Sequence, residues 1–221
     1  MQILVPFAAE TPKTRLERVL SRPERSRFAR AMLADVLAAI DETGHEPTVL
    51  STAPLTFEDE LAAVPDSTTV AVDERSLTDA VTARFPETPD EPVAVVMADL
   101  ALATADSLSR LFAADADVAI APGRGGGTNA LVVRHPEFRA DYHGASYLDH
   151  RTVAREVGAA VETVDSFRLG TDIDEPDDLV EVLVHGDGRA SDCLRDFGFE
   201  LECDEGRVGV RRAVQTTQAD Q

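Results

Sequence analysis

The sequence predicts one α/β domain built on a largely parallel sheet, and two observations carry that prediction. Short runs rich in Val, Ile, Leu and Ala alternate along the chain with stretches of helical periodicity, and no linker or change of composition divides the 221 residues. With 43% hydrophobic residues, 5% aromatic and no tryptophan, the chain can fill a core, chiefly with small aliphatic side chains.

Taken in order, the strand-like runs are QILVPF (2–7), PTVLST (47–52), TTVAVD (68–73), PVAVVMAD (92–99), DVAIAP (117–122), ALVVR (130–134) and AVETVD (160–165). The strongest helix follows the first run. Ser21 stands three residues before Glu24 with Pro23 between them, the spacing of a capping box with proline in the first turn. Phe28, Met32, Leu33, Val36, Leu37 and Ile40 then recur at helical spacing, which predicts one stripe buried on the sheet. From Gly186 the pattern weakens through HGDGRASD and recovers in CLRDFGFELE and RVGVRR. Residues 185–212 are therefore expected to form a small hairpin or edge element appended to a 1–184 domain, with 213–221 a frayed polar tail.

A net charge of −20, from 41 acidic against 21 basic side chains, opposes binding to a nucleic-acid backbone or an anionic membrane. Small anions remain possible where a local basic cluster overrides that field. The acidic excess suits a salt-rich cytoplasm, where screening tolerates self-repulsion; drift in a GC-rich genome is the other explanation. No basic, apolar leader and no long apolar run is visible, so a cytoplasmic protein is expected. Cys193 and Cys203 fit neither a zinc spacing nor a disulfide framework and read as ordinary reduced thiols.

In open α/β sheets ligands bind beyond the carboxyl ends of the strands, and four segments fall there. The first is PFAAETPKTRL, whose Lys13 is the only lysine of the chain. A loop offering Lys13, Arg15 and backbone N–H groups suits a triphosphate, although no Walker pattern is present. The second is Asp99, closing the most apolar strand, which reads equally as a ligand for a phosphate-bound divalent cation or as a turn aspartate. The third is PGRGGGTNAL (122–131), where glycines permit close backbone approach and Thr128 and Asn129 supply polar contacts; such glycine runs are also plain loops. The fourth is GTDIDEPDDL (170–179). Asp172 and Asp174, two apart in an extended stretch, point the same way and suit one metal or two neighbouring ones. Asp174 also reads as a helix N-cap, with Pro176 in the first turn and Asp177 at the capping-box position.

In this order KTRL, GTNAL, GASYLDH and DIDEPDDL resemble the 2-phospho-L-lactate guanylyltransferase family over roughly residues 1–184. The resemblance implies a nucleotide-diphospho-sugar transferase-like fold, similar to that of the molybdenum-cofactor guanylyltransferases, and transfer of GMP from GTP to 2-phospho-L-lactate in coenzyme F420 biosynthesis. It implies a magnesium ion held by Asp99, Asp172 and Asp174, and a homodimer. It assigns Lys13, Arg15 and Asp99 to catalysis and to the nucleotide, together with Val5 and Pro6 at the end of the opening strand. Thr128, Asn129, Gly144 and Ser146 fall to the pocket for the phosphorylated acid, with His150 orienting that loop. The chain departs from the family pattern at Ala98-Asp99-Leu100-Ala101, where Gly-Asp-x-Pro is common. It departs again at Ser76-Leu77-Thr78, where Gly-Leu-Asn is common, and at His143, which stands where a glycine is frequent. Phosphoenolpyruvate, a sugar phosphate or a pterin as acceptor, and a non-catalytic GTP sensor, are the competing readings.

Overall fold

The computed structural model describes residues 1–10, 12–204 and 206–213; apart from Ala213, the expected polar tail lies outside the described residues. Seven strands form one sheet: β1 (Gln2–Phe7), β2 (Pro47–Ser51), β3 (Thr69–Val72), β4 (Val93–Val96), β5 (Val118–Pro122), β6 (Thr128–Val133) and β7 (Val161–Thr163), in the spatial order β3-β2-β1-β4-β6-β5-β7. Every pairing is parallel except those of β6, which runs antiparallel to both β4 and β5. The sixth run is therefore longer than expected and begins at Thr128, so Thr128 and Asn129 are strand residues rather than loop residues. Because β6 is reversed, its amino end lies on the same edge of the sheet as the carboxyl ends of the others.

Helices cover both faces. The first, α1 (Arg22–Asp41), begins as the capping box predicts: the Glu24 carboxylate accepts the Ser21 backbone N–H at 2.8 Å and its hydroxyl at 2.7 Å. Leu33, Val36, Leu37 and Ile40 of α1 join α3 (Ala105–Phe112) against Ile3, Val5, Ala94, Val96 and Val132 of the sheet. On the opposite face α2 (Leu77–Thr82) and α4 (Ser146–Glu156) pack with Phe138 over Leu4, Val95, Ile120 and Leu131.

The single stripe expected for α1 is two stripes. Phe28, Ala31 and Met32 face away from the sheet, into a second core with Leu16, Leu20, α6 (Leu179–His185) and α7 (Arg189–Asp196). A short α5 (Phe167–Gly170) precedes the Asp172–Asp174 segment. Cys193 belongs to the second core; Cys203 is exposed, and neither is bonded to another cysteine. Phe199 adds the start of β8 (Phe199–Asp204), which pairs with β9 (Arg207–Arg212) in a two-stranded sheet of its own. Burying Phe28 and Met32 fully removes about 1.5–3 kcal/mol of apolar exposure each. The C-terminal segment therefore covers the outer side of the first helix with α7 and adds a separate hairpin, β8–β9.

The chain passes from β1 outward through β2 and β3, then returns to place β4 on the other side of β1. The carboxyl ends of β1 and β4 thus flank a topological switch point, where this class of sheet forms its ligand crevice.

Candidate active site

A cleft of about 320 Å³ opens there. Its floor follows the strand ends in spatial order: Met97, Ala98 and Asp99 after β4, Pro6, Phe7 and Ala8 at β1, Leu50 and Thr52 at β2, Asp73 after β3. Strands lie about 4.8 Å apart, so the three steps from β4 to β3 span about 14 Å. Pro6 lines this cleft as expected, whereas Val5 is buried beneath α1.

At one end of the cleft stands Lys13. Its ammonium lies 2.7 Å from Asp99 Oδ2 and 2.6 Å from Asp174 Oδ1, and its side chain is 10% exposed. Residues 86 and 161 positions away in sequence are joined by one nitrogen. The backbone at Lys13 is left-handed (φ 54°, ψ 46°), unusual for a residue with a side chain and a cost of about 1–3 kcal/mol. The loop holds that turn with a bond from the Leu16 N–H to the Lys13 carbonyl and with the two ion pairs. Burial opposes the charge on Lys13, but Asp99 and Asp174 outweigh it and hold the ammonium above its ordinary pKa. Arg15 is mostly exposed at the rim, 3.5 Å from Asp174 Oδ2.

Lys13 satisfies only one oxygen of Asp99. The other, Oδ1, is fully buried and accepts no hydrogen bond. Burial raises the Asp99 pKa; Lys13 pulls against that rise, and Asp174 and Asp172 add repulsion. An acceptor in that state suits a hard cation, which takes one or two carboxylates and fills its shell with phosphate oxygens and water. Among the described residues no three side chains form a ready-made cation cage. Asp99 and Asp174 converge through Lys13, while Asp172 is held apart by Asn129, whose amide N–H donates to Asp172 Oδ1 at 3.0 Å and to the Leu169 carbonyl at 2.9 Å. The two aspartates thus share an edge of the sheet but have different partners.

Asp174 is not an N-cap. The turn Pro176–Asp178 is capped by Glu175, and Asp178 accepts the Asp174 and Glu175 N–H groups at 3.1 and 2.8 Å. The cap sits one residue later than the sequence pattern suggests, which frees the Asp174 carboxylate for Lys13.

The four residues expected to hold the phosphorylated acid lie beside this cleft rather than in its wall. Thr128 and Ser146 are buried; the Thr128 N–H donates to Ser146 Oγ at 2.8 Å. Asn129 is committed to Asp172, and Gly144 is an exposed turn residue with φ 56°. His150 completes the group. Its Nε2 accepts the Asp141 N–H at 2.9 Å, so the ring proton is on Nδ1 and donates to Thr128 Oγ1 at 2.8 Å. Burial pushes the His150 pKa down to about 4, against a weaker pull from Asp141, and keeps the ring neutral. Thr128 Oγ1 thereby accepts from His150 and retains its own O–H as a donor.

Three polar residues of the cleft were not singled out from the sequence: Thr52, Asp73 and Arg75. Asp73 ends the third strand-like run just as Asp99 ends the fourth, so the rule that found one could have found the other.

The family model described as "Guanylyl transferase CofC like" matches residues 1–216. The chain belongs to the CofC-like guanylyltransferases. It is 68% identical to 2-phospho-L-lactate guanylyltransferase from Haloterrigena turkmenica, over 98% of this chain and 99% of the relative. To the protein of that name from Methanoculleus marisnigri it is 46% identical, over 95% and 94%. Among solved structures it resembles one assigned to the nucleotide-diphospho-sugar transferases from Desulfovibrio desulfuricans G20, with TM-score 0.69 at 17% identity over 89% of this chain and 95% of that one. A Methanothermobacter nucleotidyl transferase superposes with TM-score 0.59 at 16% identity over 88% and 99%. These structural likenesses agree with the fold expected of a CofC-like guanylyltransferase. No helix of the described residues is long and apolar enough to cross a membrane.

Proposed function

We propose that this chain transfers GMP from GTP to 2-phospho-L-lactate, giving lactyl-2-diphospho-5′-guanosine and pyrophosphate. The observation that carries the reading is the Lys13 ammonium bridging Asp99 and Asp174 at the head of a cleft long enough for a nucleotide, in a chain of this family. A phosphate oxygen of the acid attacks the α-phosphorus of GTP; the new P–O bond forms as the bond to the bridging β-oxygen breaks, and pyrophosphate leaves with the electron pair. The attacking oxygen is already anionic near neutral pH, so no general base is required, and the work is positioning and charge neutralisation. Lys13 supplies a compact positive charge to the leaving phosphates, and Arg15 at the rim meets them as they depart. Thr128, with its hydroxyl turned by His150, is the donor we assign to the acid.

We assign a magnesium ion to Asp99 and Asp174, with Asp172, which Asn129 holds apart but whose charge Asp99 feels, as the nearby third carboxylate; bound there it would neutralise charge on the phosphate oxygens. We further propose a homodimer acting in coenzyme F420 biosynthesis in a salt-rich cytoplasm. The acidic excess and the exposed apolar Leu201 and Val208 of the C-terminal hairpin support that reading.

The test is one assay in concentrated KCl with magnesium. GTP or ATP is offered with 2-phospho-L-lactate, phosphoenolpyruvate or no acceptor, following pyrophosphate and product mass. Acceptor-dependent release from GTP with the lactyl diphospho-guanosine mass is expected, and Asp99→Asn should abolish it. Release that favours phosphoenolpyruvate would replace the acceptor. GTP binding that survives in Asp99→Asn, with no turnover in either protein, would favour a sensor.

A further inference from the structure

The cleft has a second end, which the phosphate chemistry does not use. Asp73, at the end of β3, is nearly buried, its side chain 7% exposed, and four donors saturate it. Its Oδ1 accepts Arg75 Nε at 2.9 Å and the Arg75 backbone N–H at 3.2 Å; its Oδ2 accepts Arg75 Nη2 and Arg84 Nη1, both at 2.7 Å. Arg84 is anchored in turn on the Ala80 carbonyl at 2.7 Å. Arg75 itself is half exposed and lines the cleft beside Leu50, Leu77 and Ala80. A guanidinium at this place is fixed from behind and open in front.

We propose that Arg75 selects the guanine base, donating to its O6 and N7 from the edge of the guanidinium that Asp73 leaves free. The proposal rests on the guanylyl-transfer reading and names the residue that would give it its base preference. The two parallel bonds to Asp73 consume the Nε and one Nη2 hydrogen, leaving Nη1 and the second Nη2 hydrogen as a forward fork. Guanine presents two adjacent acceptors, O6 and N7, to such a fork. Adenine presents N7 beside an amino donor and would set N–H against N–H. Asp73 cannot take the alternative role of accepting from the guanine N1 and N2 hydrogens, because its lone pairs are occupied. Leu50, Leu77 and Ala80 supply apolar contact for a flat ring, and about 14 Å of strand ends separates them from Asp99. Arginine also explains how the chain reads a base with Ser76-Leu77-Thr78 at this turn. Ser76 caps α2 by accepting the Asp79 N–H, and Thr78 Oγ1 accepts the Tyr142 N–H, so both side chains are engaged within the protein.

The test compares GTP with ATP in wild type, Arg75→Ala, Arg75→Lys and Arg75→Gln, in molar KCl with magnesium. It reads pyrophosphate release and, by calorimetry, nucleotide affinity, with thermal unfolding as the check on folding. The GTP over ATP preference should fall roughly tenfold to a hundredfold in Arg75→Ala, the loss falling on KM for GTP more than on kcat. Arg75→Lys, which restores charge without a fork, should not recover it. Arg75→Gln keeps a donor to Asp73 should alanine fail to fold. A GTP-selective wild type with equally selective, folded Arg75 variants overturns the assignment alone. A wild type that neither binds nor turns over GTP in preference to ATP overturns the guanylyl-transfer reading, and the assignment with it.

Discussion

Replacing Lys13 by methionine keeps the aliphatic stem and removes the charge that holds Asp99 to Asp174. Each ion pair, at an effective dielectric of about 20, is worth about 4 kcal/mol at 4 Å, from which desolvation and repulsion between the carboxylates subtract. Breaking a buried pair costs about 3–5 kcal/mol because a charge is left behind. Asp99 and Asp174 are 24% and 36% exposed, so water and potassium recover part of that, and we expect about 2–4 kcal/mol. For a chain of this length that lowers Tm by roughly 5–15 °C. Magnesium should restore more stability to Lys13→Met than it adds to the wild type, since a cation can take the place of the ammonium between the carboxylates. The folded pKa of Lys13 lies above the ordinary 10.5, so the contribution is complete below that pH and is lost only as pH rises through the folded value. The difference between wild type and variant should therefore be flat from about pH 7 to 9. Thermal unfolding in molar KCl, with and without magnesium, reads all of this. A Lys13→Met protein as stable as wild type, or equal magnesium shifts in both, would refute the reasoning. Lys13→Arg keeps the charge in a wide planar group; retention of full turnover would show that the lone lysine is not kept for its geometry.

Three further outcomes are expected. Asn129→Asp sets a carboxylate against Asp172 and should weaken magnesium affinity roughly tenfold to a hundredfold. Gly123→Ala should do the same from a distance, because its Cβ would stand 2.5 Å from Asn129 Oδ1; unchanged magnesium titrations of Gly123→Ala would contradict this. His150 should make the fold sensitive to mild acid. Its folded value of about 4 lies below the ordinary 6.5, so stability is complete above pH 6.5 and falls toward pH 4, by about 3 kcal/mol. His150→Gln should flatten that window in urea melts relative to wild type, and parallel curves would count against a buried neutral ring. Finally, a chain of net charge −20 should lose compactness as salt is removed, and a circular dichroism spectrum identical in molar and millimolar KCl would oppose that expectation.

The central strands, the capped first helix and the line of charged residues at strand ends were readable because each is a local pattern. The QILVPF and VAVV runs are apolar enough to be buried on both faces of a sheet, and Ser21 with Glu24 closes a cap within four residues. The reversal of β6 was not readable. A buried antiparallel strand between neighbours has the same continuous apolar sequence as a parallel one, so TNALVV gave no sign of its direction. The second buried stripe of α1 escaped for a similar reason: Phe28 and Met32 fit the same helical period as the sheet-facing residues, and only the C-terminal helices reveal what they cover. The cap at Glu175 shows how a shift of one residue, invisible in a run of Asp and Glu, decides whether Asp174 serves a turn or pairs with Lys13 in the cleft.

Alone, the sequence determined the α/β class, the helix start at Ser21, the candidate chemistry of Lys13, Asp99, Asp172 and Asp174, and the acidic character of the surface. These depend on residue type and on spacings of a few positions. Tertiary structure decided which of those residues meet. It drew Lys13 to Asp99 and Asp174 across 86 and 161 residues, turned Asn129 toward Asp172, and locked Arg75 on Asp73 at the opposite end of the cleft. The physical reason is that a side chain's partner is set by strand order and direction, and these come from packing the whole sheet at once rather than from any one segment.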